Sequence, residues 1–303
     1  MIVQYVSITD EDLYHHKACG RGIELYEDIR GLAGRSGGLG VVWTPLHSLW
    51  LATYAASFSR WLITNGLIPR INLEGQKLSG IDLRGADLSG ADLACSDLTE
   101  VNARRVYFRK ANLRGANLYK ADVERAMFSY AMLDDSCFAR ANARGAEFQH
   151  ASMRGADLSG GGFSQGEFHG ARMAHTSCVR TSFAMAHMHQ VDLNLANARE
   201  ANFSGASLFE ANMRSVHAPS ADFSEANLDR ASLRGAMLDY ASFKSAVLRD
   251  ADLRDTVLTH VDLRGADVIG ADFSGARVAG CKADSGLWNY WQQDGNGFLK
   301  RKS

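Results

Sequence analysis

From Ile71 onward the chain repeats every five residues, and the frame does not slip for more than two hundred positions. It reads INLEG, QKLSG, IDLRG, ADLSG, ADLAC, SDLTE and continues to ADFSG, ARVAG and CKADS. The central residues run from 73 to 283, which makes 43 pentapeptides, and 30 of these centres are Leu or Phe. The other centres are Met, Val, Ala and Cys178. Two positions earlier the residue is Ala in 27 of the 43, and otherwise it is nearly always small or β-branched. The flanking positions are mostly Asp, Asn, Ser, Arg and Gly. A period of five is neither 3.6 nor 2, so it excludes both an amphipathic helix and an ordinary half-buried strand.

A fixed period signals an array of stacked units. If each pentapeptide forms one side of a square, four make a coil of twenty residues. The central residue and the small residue before it then point inward, and the other three face solvent or turn the corner. Corners favour Gly and Asn, which tolerate unusual backbone angles. Coils stacked at the strand spacing of about 4.8 Å make about eleven turns and a rod of roughly 50 Å.

The register is testable within the sequence. One column of centres twenty residues apart reads Phe163, Phe183, Phe203, Phe223, Phe243, and another reads Phe108, Phe128, Phe148, Phe168. Stacked rings gain offset π contacts on top of burial. Beside the first column a neighbouring one shrinks to Cys178, Ala198 and Ala218, so core volume is roughly conserved, as dense packing demands.

These motifs, of the form A(D/N)LxX over 71–285, resemble the pentapeptide-repeat family. The resemblance implies an all-β fold, a right-handed quadrilateral parallel β-helix. It does not by itself assign a function.

A solenoid exposes an apolar cross-section and open strand edges at its ends, so it needs caps. Residues 1–70 are expected to form a small, mainly α N-terminal cap or domain. The apolar stretch from Val41 to Ile63 contains His47 and Arg60 and reads as a buried helix rather than a membrane span. Thr44-Pro45 would start it. Leu46, Leu49, Trp50, Tyr54, Phe58, Trp61 and Leu62 form its stripe over the first coil, and Gly66 and Pro69 stop it. Thr9 or Asp10 could cap a short helix upstream, and Ile23–Leu32 could form another. Residues 286–303 form a C-terminal cap or dimerisation segment built on Trp288, Tyr290 and Trp291. The family resemblance implies homodimers through such a segment.

The composition excludes several function classes. Lys+Arg is 33 and Asp+Glu 34, a net charge of −1, which signals neither bulk nucleic-acid binding nor an acidic mimic. Five cysteines (Cys19, Cys95, Cys137, Cys178, Cys281) without a CxxC argue against disulfides or a zinc ribbon and fit a reducing cytoplasm. The opening MIVQYVSITDED has no basic secretory n-region. No catalytic constellation emerges, and the many Asp residues follow the repeat rule. The run GLAGRSGGLG at 31–40 lacks the ending of a phosphate loop and reads as flexible. Glu167, His169, His187 and His189 share one outward patch and are the only metal-ligand candidates; an exposed polar ladder accounts for them equally well. No cofactor is expected.

The expected function is therefore non-enzymatic: a rigid rod presented to a protein target, which it blocks or protects. The resemblance implies a specific alternative, a DNA-mimic modulator of DNA gyrase or topoisomerase protecting against toxins or quinolones. Against it, residues 71–285 hold 27 acidic and 24 basic side chains, far from the charge density of duplex DNA, about one per 1.7 Å. No loop interrupts the frame either. A second alternative is an effector whose activity lies in residues 1–70. Arg214, Arg234 and Arg254 should stack as a basic ladder, with a shorter one at Arg84 and Arg104, and Asp222, Asp252, Asp262 and Asp272 supply acidic patches. Outward positions that are apolar mark contact sites: Met237 and Val257 in one column, with Tyr107, Val179, Met185, Leu195 and Phe209 elsewhere. Direct nucleic-acid binding and membrane insertion are not expected.

Overall fold

The structure is a computed structural model. It describes residues 4–6, 41–43, 49, 52–53, 60, 62–64, 70–284, 291–294 and 299–301. The expected coil is present. Parallel bridges link each pentapeptide to the one twenty residues on, from Asn72↔Asp92 through Asp262↔Lys282, with no change of register. Four sides therefore close each coil.

One side shows why the sequence has this pattern. In Ala91–Cys95 every backbone N–H is satisfied. Ala91 donates to Leu88 O (3.1 Å) and closes the corner, Asp92 donates back to Ile71 O (2.8 Å), and Leu93 and Cys95 donate forward to Asn112 O (2.7 Å) and Arg114 O (2.8 Å). The remaining donor, Ala94, is taken by the Asp92 side chain at 3.1 Å. The same bond recurs from Ser89 to Asp87, Thr99 to Asp97, Ser224 to Asp222 and Ser274 to Asp272. A carboxylate or amide before the centre is therefore a backbone partner, the local geometry that Asp and Asn supply best.

The corners depart from expectation in one respect. The last residue of every pentapeptide from 75 to 280 has positive φ, as in a type II turn, but only 15 of these residues are Gly and none is Asn. The other 27 include Arg, Tyr, Met185 and Leu195. The left-handed conformation costs a non-glycine residue about 1–2 kcal/mol. Here the flanking N–H bonds to the next coil fix that conformation, so composition is a poor guide to the corner.

The core is the column of centres and small residues, nearly all fully buried. The column from Phe108 to Phe168 stacks at 4.8–4.9 Å with 3–11° between ring planes. The other column stacks at 4.8–5.2 Å from Phe183 to Phe243. The two are not separate, because Phe168 meets Phe183 edge-on at 5.6 Å and Phe163 leans on both columns. Phe138, from a third side, also meets Phe148 edge-on at 6.0 Å. At this handover the small residue shrinks further, to Gly161 and Gly166. A Cβ on Gly166 would lie 2.7 Å from the Phe168 ring and 2.9 Å from Phe163 O. Where Ser or Thr replaces Ala inside, its hydroxyl returns to a carbonyl: Ser96 to Leu93 O and Thr176 to Met173 O, for example. Burial pushes the Cys178 thiol up to about 12.

Both ends are covered. Residues 49, 52, 53, 60 and 62–64 are helical. Ala52 is fully buried in the core, with Leu49 and Ile63 against it, and its carbonyl accepts the Asp87 N–H of the first coil at 3.0 Å. Arg60 pairs with Asp87. Val41–Trp43, the first residues of the apolar stretch read as a buried helix, is strand β2, antiparallel to β1 at Gln4–Val6. Two β-branched residues and a Trp suit a strand. The cap is thus not purely helical. At the other end, β3 (Trp291–Gln293) and β4 (Leu299–Arg301) form an antiparallel hairpin. Leu299 exchanges backbone bonds with Ala276 (2.8 Å) and Gly275 (3.2 Å), and buried Trp291 meets Phe273 edge-on at 5.8 Å. The expectations placed on Thr9, Asp10, Ile23–Leu32, the 31–40 run, Thr44-Pro45, Leu46, Trp50, Tyr54, Phe58, Trp61, Gly66, Pro69, Trp288 and Tyr290 lie outside the described residues. No helix among the described residues is long and apolar enough to cross a membrane.

Candidate functional site

With the interior filled, whatever the rod does is done by the three outward residues of each side, arranged in columns twenty residues apart.

Two of the apolar outward residues are neighbours on adjacent coils. Met237 bridges to Val257 on the next coil. At the corner that follows, Tyr240 stacks on His260 at 4.9 Å and 20°. Tyr240 is 64% exposed and Met237 46%, so Met237, Tyr240 and Val257 form a small apolar cluster across two coils, with the half-buried Asp239 on the same side. Tyr240 was readable from the frame, as an aromatic residue at a corner position, but sequence reasoning passed over it. Ile269, at an outward position of the frame, was missed in the same way and is 72% exposed. Met185 and Leu195 are exposed singly on other columns. Phe209 is partly covered, with the Arg230 guanidinium 5.8 Å above its ring. Tyr107 and Val179 are half-buried.

The basic ladder is present as a column, but its charge is largely answered. Arg254 reaches Asp252 at 2.8 Å and Asp272 at 3.8 Å, and Arg234 reaches Asp255 at 3.1 Å. Arg214 bonds Ser232 at 3.0 Å. The bond from Arg254 lowers the Asp252 carboxyl below its ordinary range. Arg264 does the same to Asp262 and takes it to about 2. The shorter ladder is likewise paired, Arg84 with Asp82 (2.6 Å) and Arg104 with Asp122 (2.7 Å) and Glu124 (2.5 Å). Of the acidic residues singled out, Asp222, Asp252, Asp262 and Asp272 each accept the N–H two residues on.

Glu167, His169, His187 and His189 do share a patch. His187 Nε2 lies 4.0 Å from Glu167 Oε1, and the His187–His189 and His169–His189 ring centroids are 6.3 and 6.4 Å apart. The rings belong to a longer line that runs from Tyr130 through His150 and His169 to His189 and Phe209. Among the described residues no three His, Cys, Asp or Glu side chains are grouped to hold a metal ion.

Four-sided coils of five-residue sides around a filled core define a β-helical solenoid. The chain belongs to the pentapeptide-repeat family: the family model described as Pentapeptide repeats matches repeatedly, at 70–102, 107–142, 128–160, 136–173, 176–214, 220–255 and 241–280. The coil is accordingly a right-handed β-helix. Similar solved structures include HetL, a pentapeptide repeat protein involved in heterocyst differentiation regulation from the cyanobacterium Nostoc sp. strain PCC 7120. It is 26% identical over 70% of this chain and 89% of that one, with a TM-score of 0.35. QnrB1, a plasmid-mediated fluoroquinolone resistance protein, is 20% identical over 70% and 91%, with a TM-score of 0.31. A pentapeptide repeat protein from the Arabidopsis thaliana thylakoid lumen is 28% identical over 35% and 66%, with a TM-score of 0.20. No curated protein matches the sequence.

Proposed function

We propose that the protein is a non-enzymatic, cytoplasmic interaction protein that presents its rod to a protein target and blocks or protects that target. The observation that carries this reading is the apolar cluster of Met237, Tyr240 and Val257. Met185, Leu195 and Ile269 are exposed on separate columns, whereas these three are gathered on adjacent coils, and apolar groups gathered on a polar surface mark contact sites. The cytoplasmic assignment rests on free thiols at Cys95, Cys137, Cys178 and Cys281, which suit a reducing compartment. A homodimer through the C-terminus belongs to the same proposal. Because Trp291 is engaged in the cap, such a dimer would draw on other residues of the tail.

The test starts from a supercoiling assay with purified gyrase, titrated with and without a quinolone. Protection or inhibition identifies the target as gyrase despite the net charge of the rod. If gyrase is unaffected, affinity capture with the intact protein is compared with capture by Met237→Asp/Tyr240→Ser. A partner retained by the intact rod and lost by the folded variant supports the reading. Equal capture by both removes the cluster from it.

A further inference from the structure

Charge along the rod is not uniform. Residues 101–125 carry seven Lys or Arg and two acidic residues, whereas 76–100 carry two and five, and 126–150 two and three. One coil is therefore a basic band between acidic neighbours. At one corner Arg84, Arg104, Arg105 and Arg125, with Glu124 and Gly85, line a shallow open cleft of about 420 Å³.

The arginines of this cleft are not equally engaged. Arg84 and Arg104 are held by Asp82, Asp122 and Glu124, as described. Arg125 has only its neighbour Glu124, at 4.0 Å. The Arg105 side chain has no hydrogen bond or ion pair among the described residues, nor does that of Lys110 at the next corner of the same coil. Arg105 and Arg125 occupy one corner column on successive coils, with φ of 58° and 56°, and the Arg105 N–H is bonded to Glu124 O at 3.0 Å. The backbone thus holds two guanidinium stems one coil apart, facing solvent and repelling each other. A carboxylate between them would relieve that repulsion, and guanidinium forks match carboxylates geometrically.

We propose that the cleft lined by Arg84, Arg104, Arg105 and Arg125 docks a short acidic segment of the protein partner. The inference rests on the interaction reading above and adds the chemistry of the partner. A nucleic acid fits less well. A phosphate backbone running along the rod would follow a corner column that reads Gly85, Arg105, Arg125, Gly145 and Gln165, so it finds guanidiniums on two coils only, with Asp82, Asp122 and Glu124 beside them. A segment with a few carboxylates needs no longer a run than that. Salt weakens this docking, because the guanidiniums are exposed.

The test is fluorescence anisotropy of a labelled hexaglutamate peptide against the full chain at low and physiological salt. A single-stranded oligonucleotide of equal charge is run in parallel. Arg105→Glu/Arg125→Glu is compared with Arg214→Glu/Arg234→Glu, which makes the same charge change at the far end, and thermal melts confirm that both fold. The expected result is peptide binding that falls at least about tenfold in the first variant, stays within about twofold in the second, and weakens with salt. Equal loss in both variants, no peptide binding, or tighter oligonucleotide binding through the same arginines overturns the proposal. The peptide replaces the partner, so failure here leaves the Met237–Tyr240–Val257 reading to its own test.

Discussion

The rings of Phe203 and Phe223 lie 4.9 Å apart with 1° between their planes, and both are fully buried. The spacing is that of the coils, about 4.8 Å, so backbone pairing and ring stacking enforce the same register. Beside Phe203 the neighbouring side contributes only Ala198, also fully buried. Phe203→Ala should cost about 3–5 kcal/mol, and Ala198→Phe about 1–3 kcal/mol or more, by overpacking against the stack. Urea melts of the two single variants measure both. If both matched the parent, the pairing of large with small residues would not be what fills the core.

Two glycines separate backbone strain from steric crowding. A Cβ at Gly80 meets nothing within 4 Å, and φ there is +69°. Gly80→Ala therefore reports the conformation alone and should cost about 1 kcal/mol. Gly166→Ala puts a methyl group against the Phe168 ring and a carbonyl, and should cost about 1–3 kcal/mol. Thermal denaturation should rank Gly166→Ala as the more damaging change.

How much of this was legible differs residue by residue. The coil and the Phe columns could be read because each is repeated many times, and repetition overwhelms local ambiguity. Gly166 could not be read, since it is small on account of Phe168, a neighbour that the period does not single out. Strand β2 was hidden because three residues, Val41–Trp43, are too few to show alternation. On the surface, the frame fixed which column Arg254 and Arg105 occupy. Whether each has a partner depends on side-chain conformation, and there the two differ.

Stability should fall in acid. The side-chain bond from Arg264 brings the Asp262 carboxyl to about 2, below the ordinary carboxylate value of about 3.9. Asp97 and Asp267 are lowered in the same direction, chiefly by side-chain bonds from Thr99 and Arg249. A folded-state value below the unfolded one contributes stability above the unfolded value and loses it as pH falls through the folded one. The melting temperature should therefore decline from about pH 4 toward pH 2. Asp262→Asn should lower it at neutral pH and flatten part of that decline.

Trp291→Ala should open the C-terminal end without disturbing the middle. In a solenoid each coil touches only its neighbours, so loss of a cap propagates inward step by step. Hydrogen exchange should quicken at Gly275 and Ala276, then more weakly one coil in, and remain unchanged around Phe203. A uniform rise along the rod would mean that the coils unfold as one unit.

The bridge between residue i and residue i+20 constrains how such a chain can change length. Inserting one residue turns inward-facing side chains outward. Inserting five keeps every corner but advances all later columns by a quarter turn, so Phe203 would sit under a different side from Phe183. Only a change of twenty leaves each column in line while moving Tyr240 about 4.8 Å further from Arg105. The rod is in that sense a ruler graduated in whole coils, and the separation between its surface features is set by how many of those units the gene encodes.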